Sequence, residues 1–197
     1  MIEKNLIVFA SGAGSNAQQI INYFRNKKGI KVALIVCNNP KAGVLEIAAK
    51  EQIPVMLINK EKFLSDDFPD EIDTYRPALI VLAGFLWKIP ERMVHKFTGK
   101  IVNLHPALLP AYGGKGMYGA NVHNAVINAK EKESGITIHF IDEKYDHGQI
   151  ILQARCSLDE NETAETLGKK IHELEHTHFS ATIEHILNDI YPEDLSK

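Results

Sequence analysis

Short runs of consecutive apolar residues alternate with amphipathic stretches through the first half of the chain. Residues 5–10, 31–37, 54–58 and 78–83 read as strands, and the continuous apolar runs at 5–10 and 78–83 mark those two as buried, the latter as central. Residues 17–27, 43–52 and 91–97 read as helices, with apolar positions such as Val44, Ile47 and Ala48 sharing a face. Residues 60–75 are polar with scattered apolar positions, which predicts a loop and a helix. The second half changes character. A short strand from Ile101 meets Pro106, a glycine-rich loop bounded by prolines runs to residue 119, and a helix spans 120–129. Long loops in compact folds usually carry function. Strands at 135–141 and 149–157 are joined by the turn that holds Asp146, so they are expected to pair antiparallel, and a last helix spans 163–191. Strands alternating with helices predict an α/β fold. The expected architecture is a Rossmann-like, mostly parallel twisted sheet with helices on both faces and an antiparallel hairpin at its C-terminal side.

Composition narrows the classes. The chain has 197 residues, 45% of them hydrophobic and 24% charged, enough for a core without staples. A net charge of −3 argues against a nucleic-acid partner, which usually needs a basic face. Cys37 and Cys156 lie in apolar runs and read as small buried hydrophobes in a reducing, cytoplasmic setting. No apolar run approaches the roughly 20 residues of a membrane span, and the start of the chain lacks a signal-peptide layout.

Candidate chemistry falls at strand ends. Side chains alternate along a strand, so Asn103 and His105 point the same way. Pro106 ends that strand, because the residue before a proline is pushed away from helix. The acidic turn Asp142-Glu143-Lys144-Tyr145-Asp146 follows the strand 135–141. An amide donor, a proton-transfer group and a carboxylate to tune it suit acyl transfer. The plainer reading makes Asn103 a turn cap and His105 a corner filler. The first strand feeds Ser11-Gly12-Ala13-Gly14-Ser15-Asn16 and then a helix. Free backbone N–H groups and the positive end of the helix dipole make an anion site there, and Ser15 or Asn16 is expected to cap the helix. Gly12-x-Gly14-x-x-Ala17 fits the relaxed dinucleotide fingerprint, but the second strand ends in Asn38-Asn39-Pro40 without the ribose-holding acid. A phosphate ester is the preferred ligand, with a merely tight turn as the plainer alternative. Strand 78–83 runs into Gly84-Phe85-Leu86-Trp87-Lys88-Ile89, at the sheet edge where open parallel sheets bind ligands. Lys115 has no Ser or Thr after it, so its loop is no Walker A motif.

One motif competes. His172-Glu173-Leu174-Glu175-His176 matches the H-E-x-x-H zinc pattern on a helix. Phe179 stands where the extended pattern has glycine, and no third ligand is signalled, although His178, His185 and Glu193 are available. No metal is expected. Leu167, Ile171 and Leu174 form the buried stripe of that helix. His172, Glu175 and Phe179 lie on a neighbouring face, either a solvated flank or one that turns an acid toward a substrate.

Together these motifs resemble the glycinamide ribonucleotide formyltransferase family over nearly the whole chain. The resemblance rests on Ala10 to Asn16, Leu82-Ala83-Gly84-Phe85, Asn103-Leu104-His105-Pro106-Ala107-Leu108-Leu109-Pro110, Gly135 to Phe140, Asp146-x-Gly148 and Ile151-Leu152-Gln153. It implies one domain over 1–197, with a phosphate-binding half (1–100) and a catalytic and folate-binding half (101–197). It implies 10-formyltetrahydrofolate as co-substrate, no metal, and small-molecule partners only: glycinamide ribonucleotide and folate, no nucleic acid, no membrane, in a monomer or homodimer. Gly14, Ser15 and Asn16 would hold the substrate phosphate, and His172, Glu173 and Glu175 its ribose and glycinamide end. Leu86, Trp87, Lys88, Ile89 and Asp142, Glu143, Lys144, Tyr145, Asp146 would meet the pterin, mostly through backbone. Asn103, His105 and Asp146 would be catalytic. The chain departs from the family at three places. Leu86-Trp87-Lys88-Ile89 replaces a common Met-Arg-Ile-Leu. An arginine often found in the third crossover has no clear match near Phe63-Leu64-Ser65-Asp66. Gly113-Gly114-Lys115-Gly116-Met117-Tyr118 replaces a Pro-Gly turn, so that loop is expected to close differently.

The reaction implied is direct attack of a neutral amine on the formyl carbon, with no covalent intermediate. Asn103 would donate to the oxyanion, an effect worth about 3 kcal/mol in comparable acyl-transfer sites. His105 beside Asp146 would carry the proton to the leaving nitrogen. Rival readings are a formyltetrahydrofolate hydrolase, a formyltransferase for another amine or for methionyl-tRNA, a non-catalytic phosphate-binding module, and a zinc protease. The hydrolase usually adds an N-terminal domain and the tRNA enzyme a basic C-terminal one, and neither is expected here.

Overall fold

The computed structural model describes residues 3–192, so Glu193, one of the three residues named above as available for a third metal ligand, lies outside the described residues. The elements are β1 (Lys4–Ala10), α1 (Ser15–Phe24), β2 (Ile30–Cys37), α2 (Val44–Lys50), β3 (Val55–Leu57), α3 (Lys60–Leu64), α4 (Phe68–Asp73), β4 (Pro77–Leu82), α5 (Glu91–Lys96), β5 (Ile101–His105), α6 (Ala120–Asn128), β6 (Glu133–Phe140), β7 (Ile150–Ser157) and α7 (Ala164–Ile190). All the strands join one sheet in the order β3-β2-β1-β4-β5-β6-β7. The first five in that order pair parallel. β6 runs antiparallel to both β5 and β7. The mostly parallel sheet and its C-terminal hairpin are therefore as expected, and the hairpin continues the same sheet. Residues 60–75 form two short helices rather than a loop and one helix. The Asn59 side chain accepts from Lys62 N–H to start α3, Ser65 turns extended, and Pro69 lies in the first turn of α4, where a missing N–H costs nothing.

Apolar side chains pack on both faces of the sheet. One core holds Leu6, Val8, Ile35, Val81 and Ile138 against Ile20 of α1, Val122 of α6 and Ile171, Phe179 and Ile183 of α7. The other holds Ile7, Phe9, Ile80 and Ile101 against Phe63, Phe68, Ile72 and Met93. Phe179 belongs to the first core and is 1% exposed, so it does not share a solvated face with His172. Among the described residues no helix is long and apolar enough to cross a membrane.

Two features aim this fold at a site. From β1 the chain works outward through β2 and β3, then returns to lay β4 on the other side of β1. The carboxyl ends of β1 and β4 therefore flank a crevice where the connections diverge, the usual place for a ligand in an open α/β sheet. A buried polar bolt holds the turn that follows His105. Thr137 Oγ1 donates to Ala107 O (2.7 Å) and accepts from Leu109 N–H (2.9 Å). Gln153 Nε2 donates to that same hydroxyl (3.0 Å) and to Leu109 O (2.8 Å). Valine at position 137 keeps the shape and strands these donors and acceptors without water. Leaving buried groups unpaired costs about 1–3 kcal/mol each. Chemical denaturation of Thr137→Val is expected to show at least that loss, and unchanged stability would contradict the bolt.

Candidate active site

The glycine turn lies between β1 and α1. Gly14 is the α1 N-cap at φ 84°, a left-handed conformation that favours glycine. A Cβ there would also lie 2.8 Å from Val44 Cα. No side chain caps α1, which corrects the expectation for Ser15 and Asn16. The first-turn N–H groups have no helical partner and remain available to an anion. Asn16 instead reaches across to α7, its Nδ2 donating to Glu175 Oε2 (2.9 Å) while its Oδ1 is buried without a partner. His172 Nδ1 stands 3.3 Å from the same carboxylate oxygen. Asn16, Glu175 and His172 thus meet beside the turn. Glu173 does not join them: it is exposed and projects from another face of α7.

The turn is tied to the exit of β4. Ser11 N–H donates to Gly84 O (3.1 Å), and Ser11 Oγ accepts from Leu86 N–H (3.0 Å). Beyond Leu86 a cleft of about 360 Å³ opens. Residues 86–89, Asn103, His105, residues 114–118 and Asp142, Lys144, Tyr145 and Asp146 line it. Glu143 is not among its walls and bonds His95 outside (2.6 Å). The acidic loop is pinned by Asp142, whose carboxylate accepts from Lys144 N–H and faces His147 Nδ1, both at 2.8 Å.

The polar centre is best read proton by proton. His105 is 3% exposed. Its Nε2 stands 2.8 Å from Tyr112 O, and a carbonyl only accepts, so Nε2 carries a hydrogen. That leaves Nδ1 as the exchangeable nitrogen, 3.7 Å from Asp146 Oδ1. Asp146 is held from the glycine loop: its Oδ2 accepts Gly114 N–H (2.8 Å). Its backbone is left-handed at φ 51°.

His139, which the sequence reading left without a role, completes the group. It is wholly buried and sits in register opposite Asn103. Its Nδ1 is 2.9 Å from Phe140 O and so carries the hydrogen. Burial holds this imidazole below its usual pKa, so the ring is neutral and Nε2 is bare. That nitrogen accepts from Asn103 Nδ2 (3.1 Å), which fixes the amide with its nitrogen toward the histidine. Asp146 Oδ1 lies 3.8 Å from the same Nε2. The only hint in the sequence is period two, since Thr137 and His139 share a face of β6.

Burial also lowers the pKa of His123 and His176 from 6.5. The sign follows from linkage. Near pH 6 the unfolded chain binds more protons on these rings than the folded one, so stability is complete above about 6.5 and declines as pH falls below it. The unfolding midpoint is expected to be lower at pH 5.5 than at pH 7.5, and equal midpoints would contradict neutral buried imidazoles. Among the described residues no group of three or more His, Cys, Asp or Glu is arranged to hold a metal ion. The His172 and His176 rings lie 3.9 Å apart, tilted against each other.

Known proteins bear on this geometry. The formyl transferase family profile matches residues 4–183. A phosphoribosylglycinamide formyltransferase of Bacillus subtilis is 34% identical over 93% of this chain and 95% of its own length. A chloroplastic protein of that name from Arabidopsis thaliana is 39% identical over 88% of this chain. This chain spans only 62% of that plant relative and 60% of one from Vigna unguiculata. The crystal structure of phosphoribosylglycinamide formyltransferase from Bacillus halodurans matches with a TM-score of 0.83 at 34% identity, covering 93% of this chain and 95% of that one. The chain belongs to the formyl transferase family.

Proposed function

We propose that the protein transfers the formyl group of 10-formyltetrahydrofolate to the amine of 5'-phosphoribosylglycinamide, giving the formylglycinamide ribonucleotide of purine biosynthesis and tetrahydrofolate. The observation that carries this reading is the convergence of Asn103, His105 and Asp146 in a cleft that adjoins an uncapped glycine turn, with the buried His139 behind Asn103. The half of the chain up to residue 100 supplies the turn, and the rest supplies the polar centre. The first-turn amides after Gly14, with Ser15 and Asn16, take the phosphate. Glu175 and His172 take the ribose and glycinamide end, and Glu173 is left out of that contact set. The pterin lies between residues 86–89 and 142–146, with Glu143 on the outer side.

Chemistry follows from the proton inventory. The neutral amine attacks the formyl carbon, and the carbonyl becomes an oxyanion. Asn103, whose amide His139 orients, donates to that oxygen. His105 Nδ1, beside Asp146, relays the amine's proton to the departing folate nitrogen as the carbon–nitrogen bond breaks. Tyr112 O anchors the other ring nitrogen, so the relay uses one defined atom. Among the described residues no serine or cysteine lines the cleft to form an acyl intermediate, and the steps need no metal, nucleic acid or membrane. The reading places the enzyme in the cytoplasm as a monomer or homodimer.

The test is a spectroscopic assay for tetrahydrofolate formation with each substrate omitted in turn, with and without EDTA. Turnover that needs both substrates and ignores EDTA is expected. Deformylation without the ribonucleotide would make the protein a hydrolase. Folate binding with no turnover would point to another amine.

A further inference from the structure

Three consecutive residues of the loop after β5 touch both His105 and Asp146. Tyr112 O takes the hydrogen of His105 Nε2 at 2.8 Å. Gly113 runs so close over the carboxylate's stem that an added Cβ would stand 3.2 Å from Asp146 Cβ and 2.7 Å from Leu109 Cδ2. Gly114 N–H donates to Asp146 Oδ2 at 2.8 Å. The 3.7 Å between His105 Nδ1 and Asp146 Oδ1 therefore depends on how this tripeptide is held.

Two of the three residues are glycine, and Tyr112 alone is held against its preference. Its φ is 56°, a left-handed backbone that a bulky residue keeps only under constraint from its surroundings. A return to negative φ would rotate the Tyr112 carbonyl off His105 and carry the Gly114 amide with it. The one side chain of the tripeptide is tied down: Tyr112 Oη donates to Glu131 Oε1 at 2.6 Å. That hydrogen bond to the carboxylate pushes the phenol's pKa up to about 12, so the hydroxyl remains a donor at neutral pH. Neither Tyr112 nor Glu131 lines the cleft. Glu131 follows α6, and its backbone is fixed. Val122 and Val126 bury that helix in the first core, Lys130 turns left-handed at φ 55°, and Glu131 N–H donates to Val126 O (3.4 Å).

We propose that Tyr112 and Glu131 are positioning residues for the transfer: their bond holds Tyr112 left-handed, which keeps His105 in one tautomer and Asp146 at its distance from the ring. This rests on the formyl-transfer reading above and adds a control point outside the cleft. The bond is solvent-exposed, so its loss costs little stability. A fall in turnover without a fall in stability is then the mark of positioning.

The test makes Tyr112→Phe, Glu131→Ala, Glu131→Gln and the double variant Tyr112→Phe with Glu131→Ala in the full chain. Each of the first two is expected to lower kcat about tenfold, short of the roughly hundredfold that a displacement of about 1 Å can cost. KM for both substrates and the unfolding midpoint are expected to stay nearly unchanged. The double variant should lose no more than either single one, because both changes remove the same bond. Glutamine still offers the phenol a carbonyl, so Glu131→Gln is expected to restore most of kcat. Ring-nitrogen NMR gives a second readout that needs no substrate. It is recorded at about pH 8.5, well above the ordinary histidine pKa, with the His105 signals assigned by their loss in His105→Asn. The hydrogen is expected on Nε2 alone in the unaltered protein and in Glu131→Gln, and on both nitrogens in exchange in Tyr112→Phe and Glu131→Ala. Unaltered kcat in either of those two variants, additive losses in the double variant, or a single Nε2–H form in all of them would overturn the proposal. Absence of turnover by the unaltered protein would overturn the formyl-transfer reading instead, and the ring spectra would still decide whether Glu131 sets the tautomer.

Discussion

Asp146→Asn is expected to fold normally and to lose most of its turnover, on the order of a hundredfold or more for a lost proton-transfer arrangement. Asparagine keeps the size of the side chain and tolerates the left-handed backbone at φ 51°. What changes is the pattern of protons. The aspartate takes Gly114 N–H on Oδ2 and turns Oδ1 toward His105 Nδ1 and His139 Nε2. In the variant the carbonyl oxygen keeps Gly114, so the amide nitrogen faces the two imidazoles. It donates to their bare nitrogens and holds His105 Nδ1 as an acceptor. The site then lacks a negative charge beside the ring that must accept and release a proton. Steady-state kinetics with both substrates saturating would show the loss in kcat, with KM little changed and the same unfolding midpoint. Near-normal turnover would sink the assigned role.

Gly148→Ala is expected to damage both stability and activity. A Cβ at 148 would sit well inside the van der Waals radius of Phe140 O and 2.8 Å from Phe140 C. The glycine is where the loop after β6 passes close over the end of that strand, so an added methyl must push the two apart. Overpacking of this kind costs about 1–3 kcal/mol, which for a chain this size lowers the unfolding midpoint by roughly 2–12 °C. Asp146 stands two residues earlier in the same loop, so the displaced segment carries the carboxylate off Gly114 N–H. The loss of kcat should therefore exceed what the unfolded fraction explains at assay temperature. Gly12→Ala is the stability control, because a Cβ there meets nothing within 4 Å. Equal midpoints for Gly148→Ala and the unaltered protein would contradict the close approach.

The two glycines also show what a sequence makes legible. The Asp146-x-Gly148 spacing marks a turn after a strand, and alternation places Asn103 beside His105. Those are local facts, and the structure sets all three polar side chains on one cleft. The alternation of apolar runs likewise predicts the sheet and the helices on its two faces. Contacts made by pairing register are another matter. His139 meets Asn103 only because β6 lies antiparallel to β5 with those residues opposite, and a lone histidine in an apolar strand does not signal that. The Gly114 amide, the Tyr112 carbonyl and the Thr137–Gln153 bolt are backbone or cross-strand partners, to which side-chain patterns are blind. Local chemistry also misled. Ser15 and Asn16 are good capping residues, but Asn16 is drawn to Glu175 on a helix far along the chain. Glu173 sits within the same short motif as Glu175, and helical geometry turns it to a different face. Glu143 belongs to the acidic turn, and His95 of α5 draws it out of the cleft.

The most direct test is a single-turnover experiment with the formyl carbon of 10-formyltetrahydrofolate labelled, glycinamide ribonucleotide in excess, and an acid quench. Direct transfer predicts that the label passes from folate to the ribonucleotide amine at the rate of tetrahydrofolate release, with none on the protein. Label recovered as free formate, or bound to the chain at early times, would contradict the account.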